Sequence, residues 1–193
     1  MGDHETGWAT EERTLFTLLK QSLLHQNACD AEECGLKPND LSLDWDRFID
    51  YAIDGGVAPM VYVRLQEAQY DIPAEVMDRL RGFYMLTAAE NMENLSYARQ
   101  IFGLCNDQGI SIIPLRGIHF ADTLYPDSAL RPVSDIDLLV RPEQMDLLAA
   151  GLASLGYWNI PGHLHQWTNE KVIIDVHTDL MGGDRIAARR RAV

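Results

Sequence analysis

Two strings in this sequence have residue types and spacing that could do chemistry: Ser134-Asp135-Ile136-Asp137 and Ile173-Ile174-Asp175-Val176-His177. In a β-strand, residues i and i+2 project to the same side, about 6–7 Å apart. Asp135 and Asp137 would then project together, with Ile136 and Leu138 turned to the opposite, buried face. Two such carboxylates repel each other unless something positive lies between them. A hard divalent cation resolves this, and Mg²⁺ or Mn²⁺ bound by one or two carboxylates usually also binds substrate phosphates. An Asp-x-Asp pair is also common on solvated strand faces, so the flanks matter. Asp175 interrupts an otherwise aliphatic strand, where a carboxylate is out of character without a partner. Paired across a sheet with Asp135 and Asp137, it completes a three-carboxylate cluster.

His163, His165 and His177 form a second constellation. His163 and His165 share one strand face, as do Asp175 and His177. Convergence of these groups would suit a transition metal, or a polar wall around a substrate. The same residues also read as surface or hydrogen-bonded histidines. Cys29, Cys34 and His25 lack a second ligand pair at zinc spacing.

These strings need elements to hold them. Thr10 opens a helix whose apolar stripe is Leu15, Leu18, Leu19 and Leu23. Residues 27–42 read as a loop. Asp44 opens a second helix that Gly55-Gly56 stops. A third covers about 57–69. A long helix runs from Pro73 to about Asp107, with Val76, Leu80, Phe83, Leu86, Leu95, Ile101, Phe102 and Leu104 as its expected buried positions. After Gly109 the texture changes. A short β-branched strand, Ile110 to Ile113, is expected to end over Pro114-Leu115-Arg116-Gly117. A short helix over 117–124, the Asp135–Val140 strand and a helix from Pro142 to about Leu155 follow. Residues 157–177 predict a β-hairpin with Asn169-Glu170 at its tip. The expected boundary gives a helical region over 1–108 and a mixed α/β core over 109–193.

Pro114-Leu115-Arg116-Gly117, Leu124-Tyr125-Pro126, Arg131-Pro132, Ser134-Asp135-Ile136-Asp137-Leu138-Leu139-Val140, Leu155-Gly156-Tyr157 and Ile174-Asp175-Val176-His177 together resemble the uncharacterised bacterial nucleotidyltransferase family. This is a branch of the DNA polymerase beta-like nucleotidyltransferase superfamily. The resemblance covers about residues 84–180. It implies an α+β fold, a helical N-terminal region followed by a small mixed-sheet polymerase beta-like core. It implies that Asp135, Asp137 and Asp175 hold Mg²⁺ (or Mn²⁺) on a nucleoside triphosphate (NTP), and that Asp175 helps deprotonate an acceptor hydroxyl. Gly117 would let backbone approach the phosphates, and Arg116, Arg131, Ser134 and His177 would line the nucleotide site. The acceptor is a small molecule, a protein or a short RNA. Three departures stand out. Ile118 follows Gly117 where Ser or Gly is usual, Arg116 stands where Lys is common, and the helical region expected beyond His177 has only 16 residues in which to form, so the core is expected to be C-terminally short.

The 193 residues carry 29 acids against 16 bases, a net charge of −13. That balance argues against general nucleic-acid binding and against attachment to anionic membranes. Residues 1–50 alone hold eleven acids and four bases, and Arg185, Arg189, Arg190 and Arg191 form a basic tail. Composition is that of a folded soluble chain, 47% hydrophobic and 23% charged. Three cysteines and no signal peptide predict a reducing, cytoplasmic setting. Three functions are therefore in play: a metal-dependent nucleotidyltransferase; a degenerate member that binds a nucleotide or partner without transfer; and a metal-dependent hydrolase built on His163, His165, Asp175 and His177.

Overall fold

A polar residue with a free side-chain oxygen starts a helix where its chain is otherwise extended, and Asp44 does so here. Its carboxylate accepts a hydrogen bond from the Arg47 amide, and helix α2 (Trp45–Asp54) follows. The computed structural model describes residues 10–24, 43–67 and 72–179. Among these are α1 (Thr10–Leu24), α3 (Ala58–Glu67), α4 (Ala74–Asp107), β1 (Ile112–Leu115), α5 (Arg116–Thr123), β2 (Asp135–Val140), α6 (Met145–Ser154), β3 (Trp158–Asn159), β4 (Gln166–Thr168) and β5 (Ile173–His177). The fold is α+β. The loop expected over 27–42, the Cys29, Cys34 and His25 set, and the arginine tail lie outside the described residues.

The chain divides into two compact units, Met1–Ala88 with Ala129–Arg131, and Ala89–Ser128 with Pro132–Val193. The first is helical. Its core gathers Leu15 and Leu18 of α1, Phe48, Ile49 and Ala52 of α2, Val61 and Leu65 of α3, and Val76 and Leu80 of α4. The apolar spacing of each helix supplies these positions.

The second unit is built on a five-stranded sheet of order β1-β2-β5-β4-β3. The central pair, β2 and β5, is parallel, and the other neighbours are antiparallel. Alternation along the strands gives the sheet two unlike faces. One face carries Ile136, Leu138, Val140, Ile174, Val176 and Trp167. These pack with Ala98, Ile101 and Cys105 of α4 and Leu148 and Leu152 of α6 in one core. Gly151 brings α6 close to α4, since a Cβ there would lie 2.7 Å from the Leu104 side chain. Burial pushes the Cys105 thiol up to about 11, which leaves it a neutral apolar residue.

Three expectations need correction. The first strand is Ile112–Leu115, with Pro114 inside it. Pro114 is tolerated because β1 is an edge strand and its missing N–H interrupts no ladder on the open side. The start is later because α4 ends in a left-handed Gly109, after which the Ile110 amide folds back onto the Cys105 carbonyl. Leu86 is 53% exposed. The inward stripe of α4 instead runs Thr87, Asn91, Asn94, Ala98, Ile101 and Cys105, all buried. The spacing is helical, but three of these positions are polar and an apolar pattern passes over them.

The 157–177 segment forms β3, β4 and β5, and the tight turn between β4 and β5 lies at Asn169–Val172. The Asn169 side chain accepts hydrogen bonds from the Lys171 and Val172 amides. The Thr168 hydroxyl accepts from the Glu170 amide and donates to the Val172 carbonyl. Glu170 takes the left-handed conformation at the tip.

Candidate functional site

The second face of the sheet is polar where β2 and β5 lie side by side. Asp137 stands in register with Asp175, Asp135 with Ile173 and Leu139 with His177. Parallel strands run about 4.8 Å apart, so register alone sets two carboxylates beside each other. His177 follows two residues after Asp175 and therefore points the same way. Its Nε2 lies 2.8 Å from Asp137 Oδ1 and 4.0 Å from Asp175 Oδ2. Asp137 is 5% exposed, and Asp175 and His177 are 6% exposed. One donor atom from each of the three falls within 4.8 Å of the others. Gln166 of β4 is in register with Asp175 on its other side.

Two like charges this close and this buried need positive charge nearby. Arg116 reaches towards them, with its Nη1 4.0 Å from Asp137 Oδ1, yet its side chain is 68% exposed. That leaves the trio suited to a divalent cation, which would balance both carboxylates at once.

Asp135 is half-buried and shares the face, but it lies outside the trio; the Ser134 hydroxyl donates to its Oδ1 at 3.1 Å. Arg131 is half-buried in the segment that leads towards β2. Gly117 lies in the first turn of α5, and a Cβ on it would meet the Val133 side chain at an ordinary 3.5 Å. The residue with a positive φ at this turn is Arg116, at 46°. Ile118 is buried in the core. His163 is exposed and His165 half-buried. Neither joins the trio, the one such group among the described residues.

Two residues missed in the sequence hold the approach to β2. Asn91 is fully buried; its Nδ2 donates to the Ser128 carbonyl and its Oδ1 accepts from the Val133 amide. Asn94, one turn further along α4, donates to the Val133 carbonyl. Together they satisfy both backbone groups of Val133 just before Ser134 and Asp135. Their signal is two amides three apart inside a helix, where Asn is otherwise unfavourable.

Along the same strands, beyond His177, lies a cleft of about 430 Å³. Ile113, Leu139, Arg141, Pro142, Thr178 and Asp179 are among its walls.

The uncharacterised nucleotidyltransferase family matches residues 42–191. The chain belongs to that family. Its general role is that of a nucleotidyltransferase, and the buried Asp137–Asp175–His177 group lies within the matched region of this nucleotidyltransferase. No curated protein and no solved structure matches the chain. No helix among the described residues is long and apolar enough to cross a membrane.

Proposed function

We propose that this nucleotidyltransferase moves a nucleoside monophosphate from an NTP to a hydroxyl acceptor. The observation that carries the reading is the buried Asp137–Asp175–His177 trio on the polar face of the sheet. A divalent cation, Mg²⁺ or Mn²⁺, held by Asp137 and Asp175 with Asp135 and His177 beside them, would neutralise the triphosphate charge. Asp175 takes the proton of the acceptor hydroxyl. The hydroxyl oxygen attacks the α-phosphorus in line, the bond to the bridging oxygen breaks, and pyrophosphate leaves.

Binding falls to the surrounding residues. Arg116 and Arg131 bind phosphate oxygens, with Arg116 positioned at the edge of the carboxylates. Ser134 orients Asp135 through its hydroxyl. Helix α5 begins without a side-chain cap, and Gly117 in its first turn offers a backbone amide to phosphate. The cleft beside His177, apolar at Ile113, Leu139 and Pro142, suits a flat base or a small acceptor. The acceptor is a small molecule, a protein end or a short RNA. In this scheme residues 1–108 serve as scaffold and 109–193 carry the chemistry. A cytoplasmic setting fits the odd cysteine count and the free thiol of Cys105.

The test is calorimetry of the full chain with each of the four NTPs and divalent cation, followed by pyrophosphate release over a panel of acceptors. Binding that disappears in Asp137→Asn supports the reading. If no triphosphate binds the intact chain, the reading fails.

One observation favours a second reading, a degenerate member that binds without transfer. Ile118 fills the position after Gly117 with a side chain buried in the core, and so gives nothing to a phosphate. Nucleotide binding without pyrophosphate release on any acceptor supports that alternative. The hydrolase reading has no such support, since His163 and His165 stand outside the trio.

A further inference from the structure

The proposed mechanism needs a cation but leaves its identity open, and the donor set bears on that identity. The imidazole of His177 enters the carboxylate pair through Nε2, 2.8 Å from one oxygen and 4.0 Å from another. Donors about 2.1 Å from one cation stand roughly 3.0 to 4.2 Å apart around an octahedron. With one donor atom of each residue within 4.8 Å of the others, modest side-chain shifts would let the three share one ion. They are buried, so few waters compete for those positions. Two carboxylates and a neutral imidazole together carry two negative charges, which matches a dication. Asp135 lies outside the group, with the Ser134 hydroxyl on its carboxylate.

We infer that Asp137, Asp175 and His177 form one mixed oxygen and nitrogen site, which holds a first-row transition dication such as Mn²⁺ or Co²⁺ in preference to Mg²⁺. This rests on the reading of the trio as the metal centre and narrows its ion. Mg²⁺ favours an all-oxygen octahedron and sheds its waters reluctantly. Imidazole is a softer donor that binds transition ions more strongly, with affinity rising from Mn²⁺ to Co²⁺. The competing role for His177 is a hydrogen bond that merely orients Asp137.

The test uses the full chain stripped of metal by a chelator and titrated with Mg²⁺, Mn²⁺ and Co²⁺ in the absence of nucleotide. Mn²⁺ and Co²⁺ are expected to bind at least about tenfold more tightly than Mg²⁺. Pulsed electron paramagnetic resonance of the Mn²⁺ protein is expected to show nitrogen hyperfine coupling. His177→Gln keeps a hydrogen-bonding group and is expected to lose both the coupling and the preference. The wild-type spectrum stands even if the variant folds poorly. Mg²⁺ binding as tight as Mn²⁺, or a Mn²⁺ spectrum without nitrogen coupling, overturns the inference and leaves nucleotidyl transfer standing. Selective Mn²⁺ binding in a protein that binds no triphosphate does the reverse. A chain that binds none of the three ions without nucleotide overturns the inference and leaves nucleotidyl transfer to the triphosphate titration, because a dication there is usually completed by substrate phosphates.

Discussion

Between Asp135 and Val140, and again between Ile173 and His177, two faces of one sheet are built to opposite specifications. One face is aliphatic and fully packed, with Ile136, Leu138, Ile174 and Val176 at most 1% exposed. The other sets Asp137, Asp175 and His177 side by side, almost as deeply buried. The residues alternate, so each strand supplies both faces within five or six positions. The aliphatic face supplies burial free energy, while the polar face holds like charges in a poorly hydrated place. Apolar packing and a buried charged cluster thus alternate at a period of two along the same strands. A substitution on one face should leave the other largely untouched.

The sharpest way to break that separation is Asp137→Asn. It removes a carboxylate from the trio while keeping its shape. Pyrophosphate release is expected to fall about a thousandfold, the scale of losing a pre-positioned charge in a catalytic site. The melting temperature is expected to hold or rise, because the variant removes one of two adjacent buried charges. A clear loss of stability would show that the carboxylate is structural instead.

The mirror experiment lies one residue away. Leu138→Ala empties a fully buried position on the packed face. A cost of about 2–5 kcal/mol is expected, read as a lower urea midpoint. Metal affinity of the folded fraction should stay near that of wild type at low temperature. A matching fall in affinity would mean that the faces are coupled.

How much of this is legible in the sequence depends on how local the cause is. Asp44 as a cap, Gly55 as a stop and Asn169-Glu170 as a tip each act within a few residues, and the structure has all three. Asp175 stands out in its aliphatic strand because burial of a lone carboxylate is costly. Its partner at register, Asp137, also follows from strand pairing. The rest depends on distant contacts. Leu86 and Thr87 differ by one position of helical phase, which only the packing of α4 decides. Pro114 sits inside β1 because β1 is at the edge, and strand order is not written in any short window. His177 reads as one of three histidines until register brings it, and neither of the others, to the carboxylates.

Asn91 and Asn94 test whether the polar face depends on support from α4. Each buried amide fastens the backbone of Val133, next to Ser134. Asn94→Ala leaves the Val133 carbonyl without that donor, at an expected cost of about 1–3 kcal/mol by chemical denaturation. Unlike Leu138→Ala, it is also expected to weaken metal or nucleotide binding severalfold. The loss would come through displaced strand entry, since Asn94 touches none of the trio. Equal binding in both variants would reduce the pair to ordinary stability.

The smallest effect concerns Arg116, where the two demands meet in one residue. Its φ of 46° is a conformation that a side chain normally avoids, and it costs on the order of 1 kcal/mol. Its guanidinium meanwhile reaches Asp137 at 4.0 Å from an exposed position, a distance at which attraction is modest. Strain kept for a weak contact makes sense if the charge meets a ligand instead. Arg116→Gly and Arg116→Ala separate the two terms, because both remove the charge and only glycine relieves the backbone. The glycine variant is expected to be about 1 kcal/mol more stable than the alanine variant. Both should weaken triphosphate binding to a similar degree, measured by calorimetry. Unchanged triphosphate affinity in both would show that the turn, and not the guanidinium, is what this position contributes.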